Sequence, residues 1–278
     1  MNIAIDLGGT SIRAAKVSDD GIIEVQCSEP CHATGSEQDV LDQIFRLTES
    51  LGTEGVDGIG IGVPSVVDTE RGIVYNVTGI PSWKEVHLKE KLSQRFGLPV
   101  AIDNDSNCFA LGVARFDVGR GRKDLVCITL GTGVGSCLVI DGRLYHGRNC
   151  GAGEIGSIQY LDRDYEYYCS SRYFKGLGTT GKDAATAARA QDPAALKLWA
   201  DFGIHIGHLV EMVQYAYDPS MIVLGGSIAK AFELFRPSME ETIRNFPYPE
   251  SIRNLTVTCA RLDNPALLGA SVLCREQQ

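Results

Sequence analysis

The stretch that decides the fold is MNIAIDLGGTSIRAAKV, residues 1–17. Apolar and polar residues alternate over 2–7, two glycines follow, and residues 12–17 are again largely apolar. An alternating segment, a glycine pair and a second apolar segment are typical of two strands joined by a tight turn. A third predicted strand, 22–26, follows Gly21. The chain therefore opens with a three-stranded meander.

The same pattern returns in the middle of the chain. Residues 124–130 form a predicted strand that ends in a glycine turn at 131–133, and 135–140 and 143–146 are the next two predicted strands. A strand, a glycine turn and two further strands therefore occur twice. This repetition indicates a duplicated fold with two related halves.

Helical periodicity follows the first strand unit. Residues 36–51 place apolar side chains at helical spacing behind Ser36, and serine commonly caps helix N-termini. Strands that alternate with helices predict partly parallel sheets. The remaining predicted strands are 58–63, 100–103, 221–224 and 255–259, and the remaining predicted helices are 86–96, 105–116, 193–217, one that begins near residue 228, and 265–275.

The two halves follow each other without a linker rich in proline, glycine or serine. We place the domain boundary within 115–124 and expect the last helix to pack on the first domain. The predicted domains are a smaller N-terminal α/β domain of residues 1–116 plus 264–278 and a larger C-terminal α/β domain of residues 117–263.

Composition limits the classes of function. The 278 residues are 44% hydrophobic and 22% charged, which is typical of a globular protein. A formal net charge of −9 repels polyanions, so nucleic acid and anionic membrane surfaces are unfavourable partners. The sequence has no apolar run of transmembrane length and no signal peptide, so we expect a cytoplasmic protein. The nine scattered cysteines are expected to be free thiols.

The first glycine turn carries groups that suit a phosphate. Gly8 and Gly9 let backbone N–H groups approach an anion, and the Thr10 hydroxyl adds a donor. Asp6, at the end of the strand, could hold a phosphate-bound Mg²⁺ through water. Double glycine is also common in ordinary hairpins, so a plain turn is the alternative.

The second glycine turn is GTGVG, residues 131–135. It lacks a following Gly-Lys-Ser/Thr and opens a strand rather than a helix, so neither a P-loop nor a Rossmann dinucleotide site is predicted. Two such turns at matching positions suggest loops that grip opposite sides of one polyphosphate. Gly225, after the predicted strand 221–224, would let a flat purine ring lie against bare backbone.

Polar residues fill 103–107, DNDSN, between a predicted strand and a predicted helix. Asp105 would lie in the first helical turn, where the helix dipole stabilises its anion, and Asn104 can exchange hydrogen bonds with substrate hydroxyls. Asp105 could therefore act as a general base. Helix capping alone is the alternative, because Asp and Asn commonly cap helices.

A further segment, GAGEIGS at 151–157, carries the carboxylate of Glu154. Three more carboxylates follow in a tyrosine-rich stretch: Asp162, Asp164 and Glu166. Carboxylates beside aromatic rings are a common way to hold a sugar. A solvated loop is the alternative, and composition alone does not choose between the two.

Six motifs in this order resemble the ROK family of sugar kinases and related repressors, and the match runs over nearly the whole chain. The motifs are DLGGTSIRAA (6–15), IGIGVPSVVD (59–68), AIDNDSNCFALG (101–112), ITLGTGVGSCLVIDGRLYHG (128–147), GAGEIGS (151–157) and IVLGGSI (222–228). The resemblance implies an α/β protein of the actin-like ATPase class, with duplicated, hexokinase-type, ribonuclease-H-like domains and an interdomain cleft. It also implies binding of ATP and Mg²⁺, glucokinase-like phosphorylation of a hexose or amino-hexose at O6, and a homodimer.

The resemblance implies a role for each matching residue. Asp105 is similar to the base that removes the proton from the attacking sugar hydroxyl. The residues similar to the family's sugar ligands are Asn104, Glu154 and Glu166. Those similar to its phosphate loops and adenosine contact are Gly8, Gly9, Thr10, Gly131, Thr132, Gly133 and Gly225. We also place Ser65 and Asn76 at the edge of the sugar pocket.

Two departures from the family pattern concern zinc. The histidine of the family's GEIGH motif is Ser157 here, and the cysteine-rich zinc loop is reduced to the short run 161–166, which has no cysteine before Glu166. We therefore expect no zinc and a zinc-free branch of the family. The Ser157 hydroxyl could still reach one sugar oxygen, although it cannot replace an imidazole that a metal orients.

Three functions fit the sequence. The first is an ATP-dependent sugar kinase, which retention of the base, the sugar ligands and both glycine turns favours. The second is a non-enzymatic, sugar-sensing regulator of the same family. Such regulators carry an N-terminal helix-turn-helix, whereas this sequence begins at the first strand. The third is a sugar-binding module that has lost turnover with the altered zinc loop.

Other polar residues have structural explanations. Arg13 and Lys16 follow the first glycine turn and are expected at the surface. His146, His205 and His208 are explained by packing and local hydrogen bonds. We expect the two domains to close over sugar and nucleotide, because closure would exclude water from the reaction.

Overall fold

Strands and helices alternate along residues 1–276, which the computed structural model describes. The strands are β1 (Asn2–Leu7), β2 (Ser11–Val17), β3 (Ile23–Pro30), β4 (Gly58–Val63), β5 (Val66–Asp68), β6 (Ile73–Tyr75), β7 (Glu85–Val86), β8 (Val100–Asn104), β9 (Leu125–Leu130), β10 (Val134–Ile140), β11 (Arg143–Leu144), β12 (Gln159–Tyr160), β13 (Arg163–Asp164), β14 (Met221–Gly225) and β15 (Thr256–Cys259). The helices are α1 (Glu37–Leu51), α2 (Leu88–Phe96), α3 (Asp105–Phe116), α4 (Tyr165–Tyr168), α5 (Ser171–Gly176), α6 (Gly181–Arg189), α7 (Pro193–Tyr217), α8 (Gly226–Ala229), α9 (Phe232–Ile243), α10 (Pro249–Asn254), α11 (Pro265–Ala270) and α12 (Leu273–Glu276).

Polar side chains cap the N-termini of α1 and α3. The Ser36 side chain accepts a hydrogen bond from Asp39 N, and the Asp39 carboxylate accepts one from Ser36 N, which is a complete capping box for α1. The Asn104 side chain accepts from Ser106 N at 2.8 Å and so begins α3. The predicted N-cap at Ser36 and the predicted start of a helix at Asp105 are both confirmed.

The chain divides into two compact units. Among the described residues, the first consists of 1–121, 144–152 and 261–276, and the second of 122–143 and 153–260. The domain limits inferred from the sequence stay a prediction, and their last two residues, 277 and 278, lie outside the described chain.

The first unit contains a five-stranded sheet with the order β3-β2-β1-β4-β8. Strands β1 to β3 are antiparallel, because short turns connect them, whereas β4 and β8 run parallel to β1 after helical crossovers. Asp6 of β1 pairs with Gly62 of β4, and Gly62 pairs with Asp103 of β8. The carboxyl ends of three parallel strands therefore bring two acidic residues into one row.

Helices cover both faces of this sheet. Ile3 and Ile5 of β1 belong to a buried cluster with α1, and Ala4, on the opposite face, belongs to a cluster with α3, α11 and α12. Alternation along a strand produces this division. Helices α3 and α11 pack so closely that a Cβ on Gly112 would overlap the carbonyl oxygen of Pro265. The last helices therefore pack on the first unit, as expected.

The second unit contains a sheet with the order β11-β10-β9-β14-β15. Strands β9 and β10 are antiparallel, and β14 and β15 run parallel to β9. The first sheet has the same strand order, and its β1, β2, β4 and β8 run in the same relative directions as β9, β10, β14 and β15, so the predicted duplication is confirmed. The helical layer of this unit contains four aromatic rings in stacked, tilted and edge-on contacts: Phe174, Trp199, Phe202 and Phe235.

Several element boundaries differ from those predicted. The strand predicted at 143–146 ends at Leu144, and the strand predicted at 22–26 continues to Pro30. The helix predicted at 265–275 is two helices, α11 and α12, separated by Ser271 and Val272. The sheet β5-β6-β7 was not predicted, because strands of two or three residues are too short to show an apolar period.

The helices of residues 1–276 include none whose length and apolar character would let it cross a membrane. The longest, α7, has 25 residues and packs its Trp199, Phe202 and Ile206 into the core of the second unit. Its apolar content is therefore explained by packing within the protein.

Candidate active site

Asp105 is the first residue of α3 and follows the carboxyl end of β8. Its Oδ1 accepts a hydrogen bond from Ser106 N at 2.8 Å. Gly62 of the neighbouring strand permits this position, because its missing side chain leaves room for Cys108 on the first turn of α3, whose Sγ would lie 3.0 Å from a Cβ at residue 62. The helix can therefore begin close to the sheet.

The environment of Asp105 favours its protonated form. Burial, which has the larger effect, and the negative charge of Asp6 together raise the pKa of Asp105 from 3.8 to about 6. The backbone N–H of Ser106 opposes this effect. A carboxyl group with a pKa near 6 is ionised at neutral pH and is a stronger base than an ordinary aspartate, as general base catalysis requires.

Asp6 lies at the end of β1 and faces a cation on β2. Arg13 pairs with Asp6 across the two antiparallel strands, with 3.1 Å between Arg13 Nη2 and Asp6 Oδ2. Arg13 Nη1 also donates to Asn264 Oδ1 at 2.9 Å. Burial raises the pKa of Asp6, and Arg13 opposes that effect. The expectation that Arg13 is only a surface residue is therefore incomplete, because its side chain is half-exposed yet joins strand β1 to Asn264, the residue before α11.

The first glycine turn is a tight backbone structure. Gly8 N donates to Ser11 O at 2.9 Å, and Thr10 O accepts from Cys31 N. A Cβ on Gly9 would lie 3.0 Å from the Cα of Gly79, which itself has a φ of +83°. Only glycine at both positions allows these two loops to approach so closely.

Ser65 contacts Asn104, and the placement of Ser65 and Asn76 at a pocket edge stays a prediction. Asn104 Nδ2 donates to Ser65 O at 3.1 Å, and Ser65 Oγ donates to the carbonyl of Tyr75. Asn76 follows Tyr75 in the left-handed conformation, with a φ of +48°, and its N–H donates to Lys84 O. The structure therefore joins Ser65 to Asn104 directly, whereas Asn76 is connected to Ser65 through the backbone of Tyr75.

Asp103 and His146 form a pair that the sequence analysis missed. His146 Nε2 lies 2.7 Å from Asp103 Oδ2, and Asp103 is 1% exposed. The hydrogen bond to Asp103 raises the pKa of His146, against the effect of its burial. Packing and a local hydrogen bond do explain His146, but the local partner is a buried carboxylate adjacent to Asn104. No sequence pattern connects residues 43 positions apart in different elements.

The second glycine turn joins β9 to β10 in the second unit. Gly131 N donates to Gly133 O at 3.0 Å, and Gly131 O accepts from Ser171 N at 2.8 Å. Thr132 is exposed at the tip of this turn. The turn therefore presents backbone groups to solvent beside the start of α5.

Glu166 lies directly against this turn. Its Oε2 accepts from Val134 N at 3.2 Å, and its Oε1 pairs with Arg172 Nη2 at 2.7 Å. A Cβ on Gly133 would overlap the Glu166 carboxylate. The sequence analysis grouped Glu166 with sugar ligands, whereas the contacts of its carboxylate here are with the glycine turn and with an arginine.

Glu154 and Ser157 are exposed; Glu154 precedes a short 3₁₀ helix, Ile155–Ser157, and Ser157 is its last residue. Cβ atoms on Gly153 and Gly156 would lie 2.7 Å from the carbonyl oxygens of Ser136 and Val134, respectively. The glycines therefore allow the segment to lie against β10, next to the second glycine turn. This close approach explains why the segment around Glu154 is rich in glycine.

Gly225 is the last residue of β14 and pairs with Thr129 of β9. Gly226 follows with a φ of +84°, and a Cβ there would overlap the carbonyl of Leu130. The bare backbone of this pair thus lies next to the end of the strand that precedes the second glycine turn. The second unit therefore gathers the turn, Gly225, Glu154 and Glu166.

The tyrosine-rich segment forms its own aromatic cluster. Tyr160 and Tyr165 stack with ring centroids 4.4 Å apart, and Tyr160 Oη lies 3.2 Å from His205 Nδ1. Asp162 accepts from Tyr168, and Asp164 caps α4. Across residues 1–276 we find no group of three or more His, Cys, Asp or Glu side chains arranged to hold a metal ion.

Two sheets of one strand order, each with a glycine turn between its first two strands, define a duplicated α/β protein of the actin-like ATPase class. The chain belongs to the ROK family, whose family model matches residues 2–277. The predicted fold class and the family resemblance are therefore confirmed.

Known relatives cover nearly all of the chain. A glucokinase from Thermotoga maritima is 29% identical over 308 residues, which cover 99% of this chain and 97% of that protein. An N-acetylgalactosamine kinase from a Shewanella species is 30% identical over 264 residues, or 84% of each protein. The crystal structure of a ROK family glucokinase from Streptomyces griseus in complex with glucose and AMPPNP is 29% identical, has a TM-score of 0.81 and covers 99% of both chains.

Proposed function

We propose that this protein is an ATP-dependent sugar kinase that transfers the γ-phosphoryl group of ATP to a hydroxyl of a hexose or amino-hexose. The observation that carries the proposal is the carboxyl group of Asp105, with a pKa of about 6 beside Asn104, in a chain of the ROK family. Relatives that bear the names glucokinase and N-acetylgalactosamine kinase support it.

Asp105 is the general base of the proposed reaction. Its carboxylate accepts the proton of the sugar hydroxyl as the hydroxyl oxygen attacks the γ-phosphorus. The bond from the γ-phosphorus to the bridging oxygen breaks, and ADP leaves with the electron pair of that bond. Phosphoryl transfer depends mainly on positioning and charge stabilisation, so one base and well-placed ligands suffice.

The proposed sugar ligands carry amide, hydroxyl and carboxylate groups. In the first unit Asn104, Ser65 and Asn76 supply amide and hydroxyl groups that can exchange hydrogen bonds with sugar hydroxyls. In the second unit the proposed ligands are Glu154, Ser157 and Glu166. For Glu166 this role requires that a sugar hydroxyl share the carboxylate with Arg172 and the N–H of Val134.

The proposed nucleotide ligands are backbone groups. The residues concerned are Gly8, Gly9, Thr10, Gly131, Thr132 and Gly133 for the phosphates and Gly225 for the adenosine. AMPPNP, an ATP analogue, is bound in the Streptomyces griseus relative, which supports ATP as the phosphoryl donor. Glycine-rich turns suit this task because their N–H groups can approach an anion without interference from side chains.

Asp6 is the proposed ligand of Mg²⁺, through water. Its carboxylate supplies the oxygen donors that Mg²⁺ prefers, and its side chain is 16% exposed, so a hydrated ion can reach it. A bound Mg²⁺ would supply positive charge to the phosphates of ATP.

We further propose that the protein belongs to a zinc-free branch of the family. The GEIGH histidine is Ser157, and the segment before Glu166 lacks the cysteines of a zinc loop. Stacked tyrosines and the hydrogen bond between Tyr160 and His205 hold the corresponding segment in this protein. The aromatic cluster would therefore replace the metal as the support of this segment.

We propose glucose as the first sugar to test, with transfer to O6, and a cytoplasmic homodimer as the working form of the enzyme. The glucokinase relatives support the sugar, and the family resemblance supports the dimer. Sedimentation velocity should give a particle of twice the mass of one chain. A particle of single-chain mass would contradict the dimer and leave the kinase proposal intact.

A coupled assay of ADP release tests the proposed activity. The purified protein is supplied with ATP, Mg²⁺ and one sugar at a time: glucose, mannose, fructose, allose, N-acetylglucosamine or N-acetylmannosamine. We expect sugar-dependent ADP release with at least one of them, and mass spectrometry should find the sugar phosphate.

Binding measurements distinguish the alternative functions. Isothermal titration with the same sugars, without ATP, reports binding independently of turnover. Sugar binding without ADP release would favour a sensor or a binding module over a kinase. If the protein neither bound nor phosphorylated any of the six sugars, the support for a hexose substrate would be removed.

A further inference from the structure

The carboxylate of Asp103 accepts three hydrogen bonds at the end of β8. Its Oδ1 accepts from Asn104 N at 2.8 Å and from Asn107 Nδ2 at 2.7 Å. Its Oδ2 lies 2.7 Å from His146 Nε2. A carboxylate only accepts hydrogen bonds, so His146 Nε2 carries the proton of this contact.

The hydrogen bonds of Asp103 reach residues on both sides of Asp105, the proposed base. One of its contacts is with the backbone of Asn104, and another is with Asn107 on the first turn of α3. Asp105, the proposed base, lies between these two anchoring points. The Asp103 carboxylate therefore ties the end of the strand to the start of the helix across the residue whose position matters most.

His146 is the hydrogen-bond partner of this buried carboxylate from outside β8 and α3. Asp103 is 1% exposed, and a buried carboxylate is costly unless it is paired and hydrogen-bonded. The His146 side chain is 27% exposed, so it reaches Asp103 from the edge of the buried region. His146 comes from 144–152, a separate segment of the first unit, so this one contact decides whether Asp103 is held from outside β8 and α3.

We propose that His146 is a positioning residue for the proposed base: its Nε2–H donates to Asp103, and Asp103 in turn holds Asn104 and Asp105 in place for the sugar hydroxyl. The inference rests on the proposed function, because it assigns His146 to the same reaction. His146 acts only through Asp103 and donates no proton to the substrate.

Two substitutions of His146 separate hydrogen bonding from bulk. His146→Gln keeps an N–H donor near the position of Nε2, whereas His146→Met keeps side-chain volume without a donor. Without the donor, Asp103 loses its hydrogen bond to residue 146, and the carboxylate of Asp105 is held less firmly in position. Small misplacements of reacting groups are costly, so kcat of His146→Met should fall about 10- to 100-fold while the KM values for sugar and ATP change little.

The glutamine variant and a control decide whether the donor is responsible. His146→Gln should retain most of the wild-type kcat, because the hydrogen bond to Asp103 is restored. His87→Met is the matched control, since His87 is a half-exposed histidine of the same unit whose ring nitrogens lie 3.6 Å from Glu85 and 3.9 Å from Glu90. It should match the wild type. Wild-type kcat in His146→Met, or equal losses in both His146 variants, would overturn the proposal.

A second readout does not depend on activity. In ¹⁵N-labelled protein, the backbone amide signals of Asn104 and Ser106 should shift in His146→Met and return towards their wild-type positions in His146→Gln. Unchanged signals in His146→Met would overturn the positioning role. If the wild type phosphorylated none of the sugars, the proposed function would fail, and these amide signals would still decide whether His146 holds this corner.

Discussion

Asp105 combines burial with a nearby negative charge, and both raise its pKa to about 6. This pKa is close to the operating range of a general base, so the residue can accept a proton in the transition state and still be ionised at neutral pH. Asp105→Asn removes the acceptor and keeps the shape of the side chain. We expect kcat to fall about 10²- to 10⁴-fold with little change in KM, as measured by the ADP-release assay.

The same pKa sets the pH dependence of the reaction. The base is active when it is deprotonated, so kcat/KM for the sugar should fall as the pH decreases through about 6. A profile measured between about pH 5 and 8, on either side of that pKa, should show a single acidic limb with this midpoint. A rate that stays constant down to pH 5 would contradict the assignment of Asp105.

Burial of Asp105 also has a consequence for stability. The folded-state pKa of about 6 lies above the ordinary value of 3.8, so the folded protein loses stability as the pH rises through this interval. Asparagine cannot ionise. Asp105→Asn should therefore increase the free energy of unfolding by about 1 to 3 kcal/mol at pH 8, and the increase should disappear near pH 4. Urea unfolding at both pH values measures the difference.

The sequence placed Asn104 and Asp105 correctly at the start of a helix, because Asp and Asn between a strand and a helix commonly cap the helix. It did not find the partner of Asp103. The contact with His146 joins residues 43 positions apart, and only folding of the segment 144–152 onto the first unit brings them together.

Glycines decide how closely elements pack in the first unit. Helices α3 and α11 contact each other through backbone at Gly112, where a Cβ would overlap the Pro265 carbonyl. Gly112→Ala should therefore lower the free energy of unfolding by about 1 to 3 kcal/mol, although alanine alone favours a helix. Urea unfolding tests this, with Gly151→Ala as the control, because a Cβ on Gly151 would meet nothing within 4 Å.

The long elements followed from the sequence, and the short ones did not. Helices α1, α3 and α7 have enough residues to show an apolar period, and their predicted extents agree with the structure to within one residue. Strands β5 to β7 have two or three residues each and are fixed by their neighbours instead. The break between α11 and α12 was also missed, because nothing in the local sequence at Ser271 stops a helix.

At the scale of the whole molecule, the proposed absence of zinc leads to a test by metal removal. Protein treated with a chelator and then supplied with Mg²⁺ alone should recover its full rate, because aromatic packing supports the segment before Glu166. The rate of ADP release and the metal content of the protein are measured together. Recovery that required added zinc would contradict the zinc-free branch and leave the sugar kinase proposal standing.

The sequence was sufficient to predict the duplicated architecture. It also predicted which residue types would contact the phosphates and which would contact the sugar. Two strand and glycine-turn units are visible in it because strand alternation and glycine turns are local properties of the chain. Tertiary structure alone decided that Asp6, Gly62 and Asp103 share one row of parallel strands and that His146 reaches a buried carboxylate. Strand register and long-range burial depend on the packing of distant segments, so no local pattern encodes them.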